Sequence, residues 1–563
     1  MLSRVGRDAV ACIDYPVDRS RFRLRRVAVF GIALVLVIAV QAWMGAAVVE
    51  RGIYSDDAAH FMNGLLLRDY LQQAPGSDPV AFAEQYYINY PKIAPLMWPP
   101  LFHVTLGLSL LAGGPPGATA LLLLGLCGAW VVVRLHMIVE SLAGSLAALV
   151  AVALLLTTPL VMTMTSVVML DLVIATFALE SAYRLARFLK SNSSRDAIVF
   201  GVFASLACLT KGTGVIAVLL PALMIPIAGR WDLLRSRGLY LSAAVVLLLG
   251  VPLLALSAMF DAGIGDFGPV SSSLIVERLS FYGQHLRNHV GIVALCFAAL
   301  GVGATILRAR RRPKGYLPLA EGLVALVGAT FVFHLLSPHL SDSTRYLTPV
   351  IPPLIGLAML GATATVDWLQ IDMRHRLPFC ALLAVIGMSA AVVRVAATPG
   401  SPLGYRDVVD QLTASGQLSG RRLLVVSDEA GEGAAVTEVA VRGLQPAPVI
   451  IRGSKLLARG NWMIAGTAVY ESPEAIIRDL EELHVEYVLV DRSPGAKNLP
   501  YFRQVSDMVE GSLRSGRIEA LSSWAGASPS RRLELYRVKT KSPGDPKTLR
   551  ISLEHTLGRT LER

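Results

Sequence analysis

"MWPPLFHVTLGLSLLAGGPPG", Met97 to Gly117, is the stretch on which the fold turns. It is apolar enough to resemble a membrane span. Its proline pairs, Pro99-Pro100 and Pro115-Pro116, cut it short, because proline lacks the N–H that a helix interior needs. About 16 clean helical residues remain, about 24 Å of helix against a hydrocarbon core of about 30 Å. We read 95–113 as a helix lying at, or dipping into, the membrane surface. Two apolar runs, 117–139 and 142–163, then separate Asp57 from Asp171. Two crossings put those carboxylates on one face of the bilayer, whereas three would put them on opposite faces.

The rest of the chain is consistent with a polytopic membrane protein. Its 563 residues are 54% hydrophobic and 17% charged, with a mean hydropathy of +0.55, outside the range of soluble globular domains. The net charge of +11 sits in short basic clusters between apolar runs, as in cytoplasmic loops. No contiguous basic face appears, so nucleic acid is not an expected partner. The five cysteines, Cys12, Cys127, Cys208, Cys296 and Cys380, have no metal-type spacing and make no disulfide framework. The first apolar run is long and lacks a small-residue cleavage site, so it reads as an uncleaved anchor.

The basic segment "RSRFRLRR" (19–26) precedes that run and makes 1–26 a cytoplasmic tail. Further clusters at 184–195, 229–237, 308–314 and 372–376 mark more cytoplasmic loops. Eleven spans follow: 27–48, 117–139, 142–163, 167–189, 196–210, 212–229, 238–259, 290–308, 317–337, 345–366 and 378–398. Residues 27–399 form the membrane domain, with outer loops 49–116 and 260–289, and 400–563 lie outside the cytoplasm.

In 400–563 the composition changes. "RRLLVVSD" (421–428), "PAPVIIRG" (446–453) and the end of "PEAIIRDLEELHVEYVLVD" (473–491) read as strands, with helices over 431–443 and early in 473–491. "RRLELYRV" (531–538) reads as a late edge strand. Strands alternating with helices predict a small, mostly parallel α/β domain. No catalytic triad or metal cluster stands out there, and a docking or acceptor-handling role is favoured.

Charged groups in and beside spans are costly and tend to be functional or paired. The predicted topology gathers Asp56, Asp57, Lys92, Asp171, Lys211, His285, His289, His339, Asp342 and Arg345 on the outer face. Asp56 or Asp57 is expected to cap the helix that starts there, leaving the other to be explained. That helix carries Phe61, Met62, Leu65, Leu66 and Tyr70 in one stripe, fit for lying on a bilayer. Ile275, Leu279, Tyr282 and Leu286 make a similar stripe in the later loop. Lys211, in "LACLTKGTG", either snorkels to the surface or binds a lipid phosphate. Arg345 and Tyr346 begin a span and either hold a phosphate or anchor the interface. His285 and His289 are four apart; on a helix they are metal candidates together with His339, or else a solvated face.

In their order, "SDDAAHF", "KIAPLMWPPLFH", "MLDLVIATF", "LTKG" and "RYLTPVIPP" resemble the GT-C membrane glycosyltransferases. The branch is that of protein O-mannosyltransferases and lipid A aminoarabinose transferases, and the resemblance covers about 25–400. It implies a sugar on a polyprenyl phosphate as donor, and a lipid, glycan or protein as acceptor. By that resemblance Asp56 acts on the acceptor, Asp57 stands where the family usually has Glu, and Asp171 is the second acid. Lys211 matches the donor-phosphate lysine, and Lys92 precedes the proline pair as a lysine does in the aminoarabinose transferases, at a longer spacing. A divalent metal serves some branches and not others. The competing class, a transporter or flippase of lipid-linked saccharides, predicts inverted repeats and charges at mid-membrane. The sequence carries neither.

Overall fold

The computed structural model of the protein describes residues 19–261, 270–310, 318–337, 343–370, 402–459, 466–526, 531–539, 545–552 and 560–562. His339, Asp342 and the expected span 378–398 lie outside the described residues. Most of the chain to residue 370 is helical. Five described helices are long and apolar enough to cross a bilayer: Pro116–Ala143 (α5), Arg237–Ser257, Ile292–Ala309, Leu319–Leu336 and Thr344–Trp368. A sixth forms if Ser145–Thr157 (α6) and Pro159–Ser166 (α7), bent by 64°, count as one span. Pro159 accounts for the bend, since its nitrogen cannot extend the α6 ladder.

The other apolar runs take different forms for visible reasons. The first helix, Arg19–Trp43 (α1), has an apolar part only from Val27 to Trp43. Asp171–Ser191 (α8) carries Asp171, Glu180, Arg184, Arg187 and Lys190. Glu180 is wholly buried there, with Nε of both Arg134 and Arg184 at 2.6 Å. Ser194–Cys208 (α9) stops before Lys211, and the chain resumes as a 3₁₀ turn, Gly212–Ala217, and a short helix, Leu220–Ala228.

Between α1 and α5 three short helices form the first loop: Ser55–Gln73 (α2), Pro79–Asn89 (α3) and Leu101–Leu111 (α4). The α4 helix has 11 residues, about 16 Å, half of what a crossing needs. Phe102, His103, Leu106 and Leu110 are buried, while Val104, Leu108 and Leu111 are exposed. The α2 stripe corrects the sequence reading. Phe61, Met62 and Leu65 are 0–1% exposed and pack inside the protein, so they face α4 and the bundle rather than lipid. The later stripe is split. On Ser272–His289, Tyr282 and Leu286 are buried, whereas Leu279 is exposed.

The C-terminal domain has a five-stranded sheet: Arg422–Val426 (β1), Val449–Arg452 (β2), Tyr487–Asp491 (β3), Ile518–Ala525 (β4) and Arg532–Val538 (β5). In these labels the order is β2-β1-β3-β5-β4, with the first three parallel and the last two antiparallel. The expected edge strand is therefore internal, and β4, unread in the sequence, is the edge on that side. Its apolar residues do not alternate, because the pairing register shifts between Ala520 and Ser522 and breaks the period of two. Along β1, Leu423 and Val425 face the helices Tyr405–Ala414 and Glu429–Ala440, and Leu424 and Val426 face Pro473–Glu482 and Phe502–Arg514. The first helix layer is continuous with the core of the bundle.

Candidate active site

Four charged side chains converge at one end of the bundle, each from a helix terminus or a break. Asp56 opens α2, Asp171 opens α8, Lys211 fills the break after α9, and Arg345 lies on the 3₁₀ turn Thr344–Val350. Helix starts suit carboxylates, because unpaired N–H groups and the helix dipole favour negative charge. Asp56 Oδ2 is 2.8 Å from Arg345 Nη2. Asp171 Oδ1 is 3.3 Å from Lys211 Nζ, with both side chains buried. Tyr346 lies between the pairs. Its ring centroid is 4.8 Å from Lys211 Nζ and 5.3 Å from the Arg345 guanidinium carbon, both cation–π distances. His334 stacks on the same ring at 5.3 Å, and Tyr54 offers a second aromatic face to Arg345 at 5.8 Å. Buried Asp171 Oδ2 has no hydrogen-bond partner among the described residues, which leaves an acceptor oxygen beside a cation.

Asp57 does something else. It is 1% exposed, and its Oδ1 accepts from the Val168 N–H at 3.0 Å. Burial pushes its carboxyl up to about 6, against the opposing influence of Arg51 and the backbone N–H groups. The helix cap expected of the acidic pair is not there. Tyr54 occupies the N-cap without a side-chain cap, and Asp57 braces the segment before α8 that delivers Asp171.

Lys92 joins none of these groups by contact. Its Nζ is 3.2 Å from Glu429 Oε1, at the start of the helix that follows β1. Beside it Arg452 Nε pairs with Glu432 at 2.7 Å, and Arg452 Nη1 reaches the Pro91 carbonyl at 3.2 Å. Glu50, at the other end of the first loop, accepts from the N–H groups of Leu403, Gly404 and Arg406 at 2.7, 2.9 and 3.3 Å. The acidic turn 427–433 is thus used internally. Asp428 caps its helix through Gly431, Ser427 bonds Asp491, and Glu429 and Glu432 hold the first loop and β2.

Of the metal candidates, His285 and His289 lie on the helix Ser272–His289, an element separate from those that carry the four charges. His285 and His289 stack with ring centroids at 6.3 Å, and Thr344 Oγ1 is 3.4 Å from His285 Nδ1. Among the described residues no three His, Cys, Asp or Glu side chains converge as a metal needs; His339 lies outside them.

Sequence reading missed the other wall of the site. His60 and His103 meet at 3.1 Å between Nδ1 and Nε2, and Trp98 lies 4.2 Å from His60 by ring centroids. The usable signal was spacing: His60 is four residues after Asp56, on the same helix face.

This is the fold of the GT-C membrane glycosyltransferases, and the chain is a multi-pass membrane protein. Residues 98–255 match the model of the dolichyl-phosphate-mannose-protein mannosyltransferases. ArnT from Cupriavidus metallidurans in the apo state has a TM-score of 0.57 at 16% identity, over 93% of this chain and 100% of that one. The same protein bound to undecaprenyl phosphate has 0.50 at 16%, over 92% and 99%. The Archaeoglobus fulgidus oligosaccharyltransferase tethered with an acceptor peptide has 0.52 at 12%, over 83% and 69%. No curated protein matches the chain. At these identities the likeness is one of fold, and function rests on the site.

Proposed function

We propose that the protein moves a sugar from a polyprenyl-phosphate donor to an acceptor at the outer face of the cytoplasmic membrane. The observation that carries this reading is the pair of ion pairs, Asp56 with Arg345 and Asp171 with Lys211, around Tyr346. Two cations beside two carboxylates suit a reaction in which a phosphate leaves as a proton is taken. The donor phosphate competes for Arg345 and Lys211 and frees the carboxylates. Asp56 then takes the proton of the acceptor nucleophile as it attacks the anomeric carbon. The new bond joins acceptor and sugar, the sugar–phosphate oxygen bond breaks, and the electron pair leaves on the polyprenyl phosphate. Attack opposite the leaving group inverts the anomeric centre. The cations favour the charge that grows on the phosphate. Asp171, with one oxygen unpaired, holds Lys211 and offers an acceptor to substrate.

In this reading the N-terminus is cytoplasmic, and the C-terminal domain stands outside the cytoplasm over the first loop. The test is turnover of polyprenyl-phosphate sugars by purified wild type and Asp56→Asn. The reading requires transfer by wild type and a loss of about 1,000-fold or more in the folded variant. Near wild-type transfer by Asp56→Asn sinks the assignment. Movement of an intact lipid-linked saccharide without cleavage points instead to a flippase.

A further inference from the structure

His60 is buried, one helical turn beyond Asp56 and on the same face of α2. Its Nδ1 faces His103 Nε2 at 3.1 Å. Burial, with the charge of His103 and then of Lys211 and Arg345, holds the His60 ring well below its ordinary pKa. Burial holds His103 down to about 4. Both rings are therefore neutral at pH 7, and one hydrogen serves their contact. The second ring nitrogen, His60 Nε2, is buried without a hydrogen-bond partner among the described residues. Such an orphan in a native site calls for a reason.

The surroundings supply one. Beside the cations Lys211 and Arg345, a bare lone pair at Nε2 is favoured over an N–H. His60 Nδ1–H then donates to His103, and Nε2 is left as an acceptor. The part-buried indole of Trp98 covers the ring, with centroids 4.2 Å apart. Trp98 stands on a segment tied to α2 by Asn63, whose amide exchanges two hydrogen bonds with Ala94, at 3.2 and 2.9 Å. Leu96, in the same segment, has φ of 66°, a left-handed backbone that a leucine seldom adopts. An indole face beside a hydrogen-bond acceptor suits a sugar ring, which presents both C–H faces and hydroxyls.

The geometry points to His60 Nε2 as the acceptor of a hydrogen bond from a hydroxyl of the transferred sugar, one helical turn from Asp56, with Trp98 against the sugar's apolar face. This inference rests on the glycosyltransferase reading above. His60 is a sugar-positioning residue, and the proton of the reaction still goes to Asp56.

The test uses full-length His60→Asn and His60→Gln. Asparagine keeps a polar atom near the Nδ1 position and so spares the His103 contact. Glutamine keeps one near Nε2. With the donor that wild type turns over, His60→Asn should lose about 50-fold in kcat/KM, and His60→Gln should stay within about fivefold of wild type. One single-deoxy form of that donor should be disfavoured by wild type and no longer discriminated by His60→Asn. A His60→Asn variant as active as wild type overturns the inference. So does the absence of any deoxy donor that wild type rejects, a measurement that needs no variant to fold. If wild type turns over no polyprenyl-phosphate sugar, the functional reading fails first. If wild type and Asp56→Asn behave as proposed while His60→Asn is silent, only the inference about His60 fails.

Discussion

Asp56 Oδ2 lies 2.8 Å from Arg345 Nη2, so the proposed proton acceptor is held by a guanidinium until something else claims that cation. A donor phosphate is the natural claimant. Arg345→Gln should lower kcat/KM for transfer by about 100-fold, as for a lost donor to a developing oxyanion. Because the two residues act as a unit, Asp56→Asn combined with Arg345→Gln should be little worse than Asp56→Asn alone. Steady-state transfer assays on the three variants check this. Additive losses would separate the two residues.

Lys211 and Asp171 form the second pair, and both are buried. Lys211→Met leaves Asp171 as an uncompensated carboxylate and should cost about 3–5 kcal/mol of stability. Adding Asp171→Asn removes the stranded charge. The double variant should regain most of its thermal stability in detergent and none of its transfer. A double variant that regains transfer would mean that the pair is purely structural.

Asp57 makes stability depend on pH. Its folded pKa of about 6 lies above the ordinary 3.8. A raised carboxyl contributes stability that is full below the unfolded value and is lost as pH rises through the folded one. Wild type should therefore lose on the order of 2 kcal/mol between pH 4 and pH 7 from this group. Asp57→Asn should show a shallower decline over the same window in thermal unfolding. An unchanged slope would show that Asp57 is not the source.

The ion pair between Lys92 and Glu429 ties the first loop to the C-terminal domain. If that is the main role of Lys92, Lys92→Met and Glu429→Gln should weaken transfer by a similar factor, about threefold, and should not add. A loss for Lys92→Met far beyond that of Glu429→Gln, seen in donor KM, would return Lys92 to the phosphate.

Gly433 gives the domain contact a sharper probe. A Cβ built there meets Ala58 Cβ at 2.8 Å and Lys92 Cε at 3.1 Å. Gly433→Val should wedge the domain away from the helix turn that carries Asp56 and Asp57. Transfer should fall about tenfold, with faster proteolysis near 403, where Glu50 holds three backbone N–H groups. Wild-type activity and digestion would mean that the contact bears no load.

Much of the architecture was legible from hydropathy and charge alone. The proline pairs around 97–117 imply a helix too short to cross, and α4 has 11 residues. The strands at 422–426, 449–452 and 487–491 were readable because each is a short apolar run between turn residues. Asp56, Asp171, Lys211 and Arg345 could be named because a charge beside an apolar run is costly enough to stand out. Local pattern cannot say which charge meets which. Nor can it say that Asp57 reaches Val168 rather than its own helix, that Phe61 and Met62 face protein rather than lipid, or that Lys92 turns to Glu429. Those outcomes depend on contacts between segments far apart in the chain, as with Lys92 and Glu429, 337 positions apart. Burial, pairing and pKa are properties of such neighbours, so they exist only once the chain has folded.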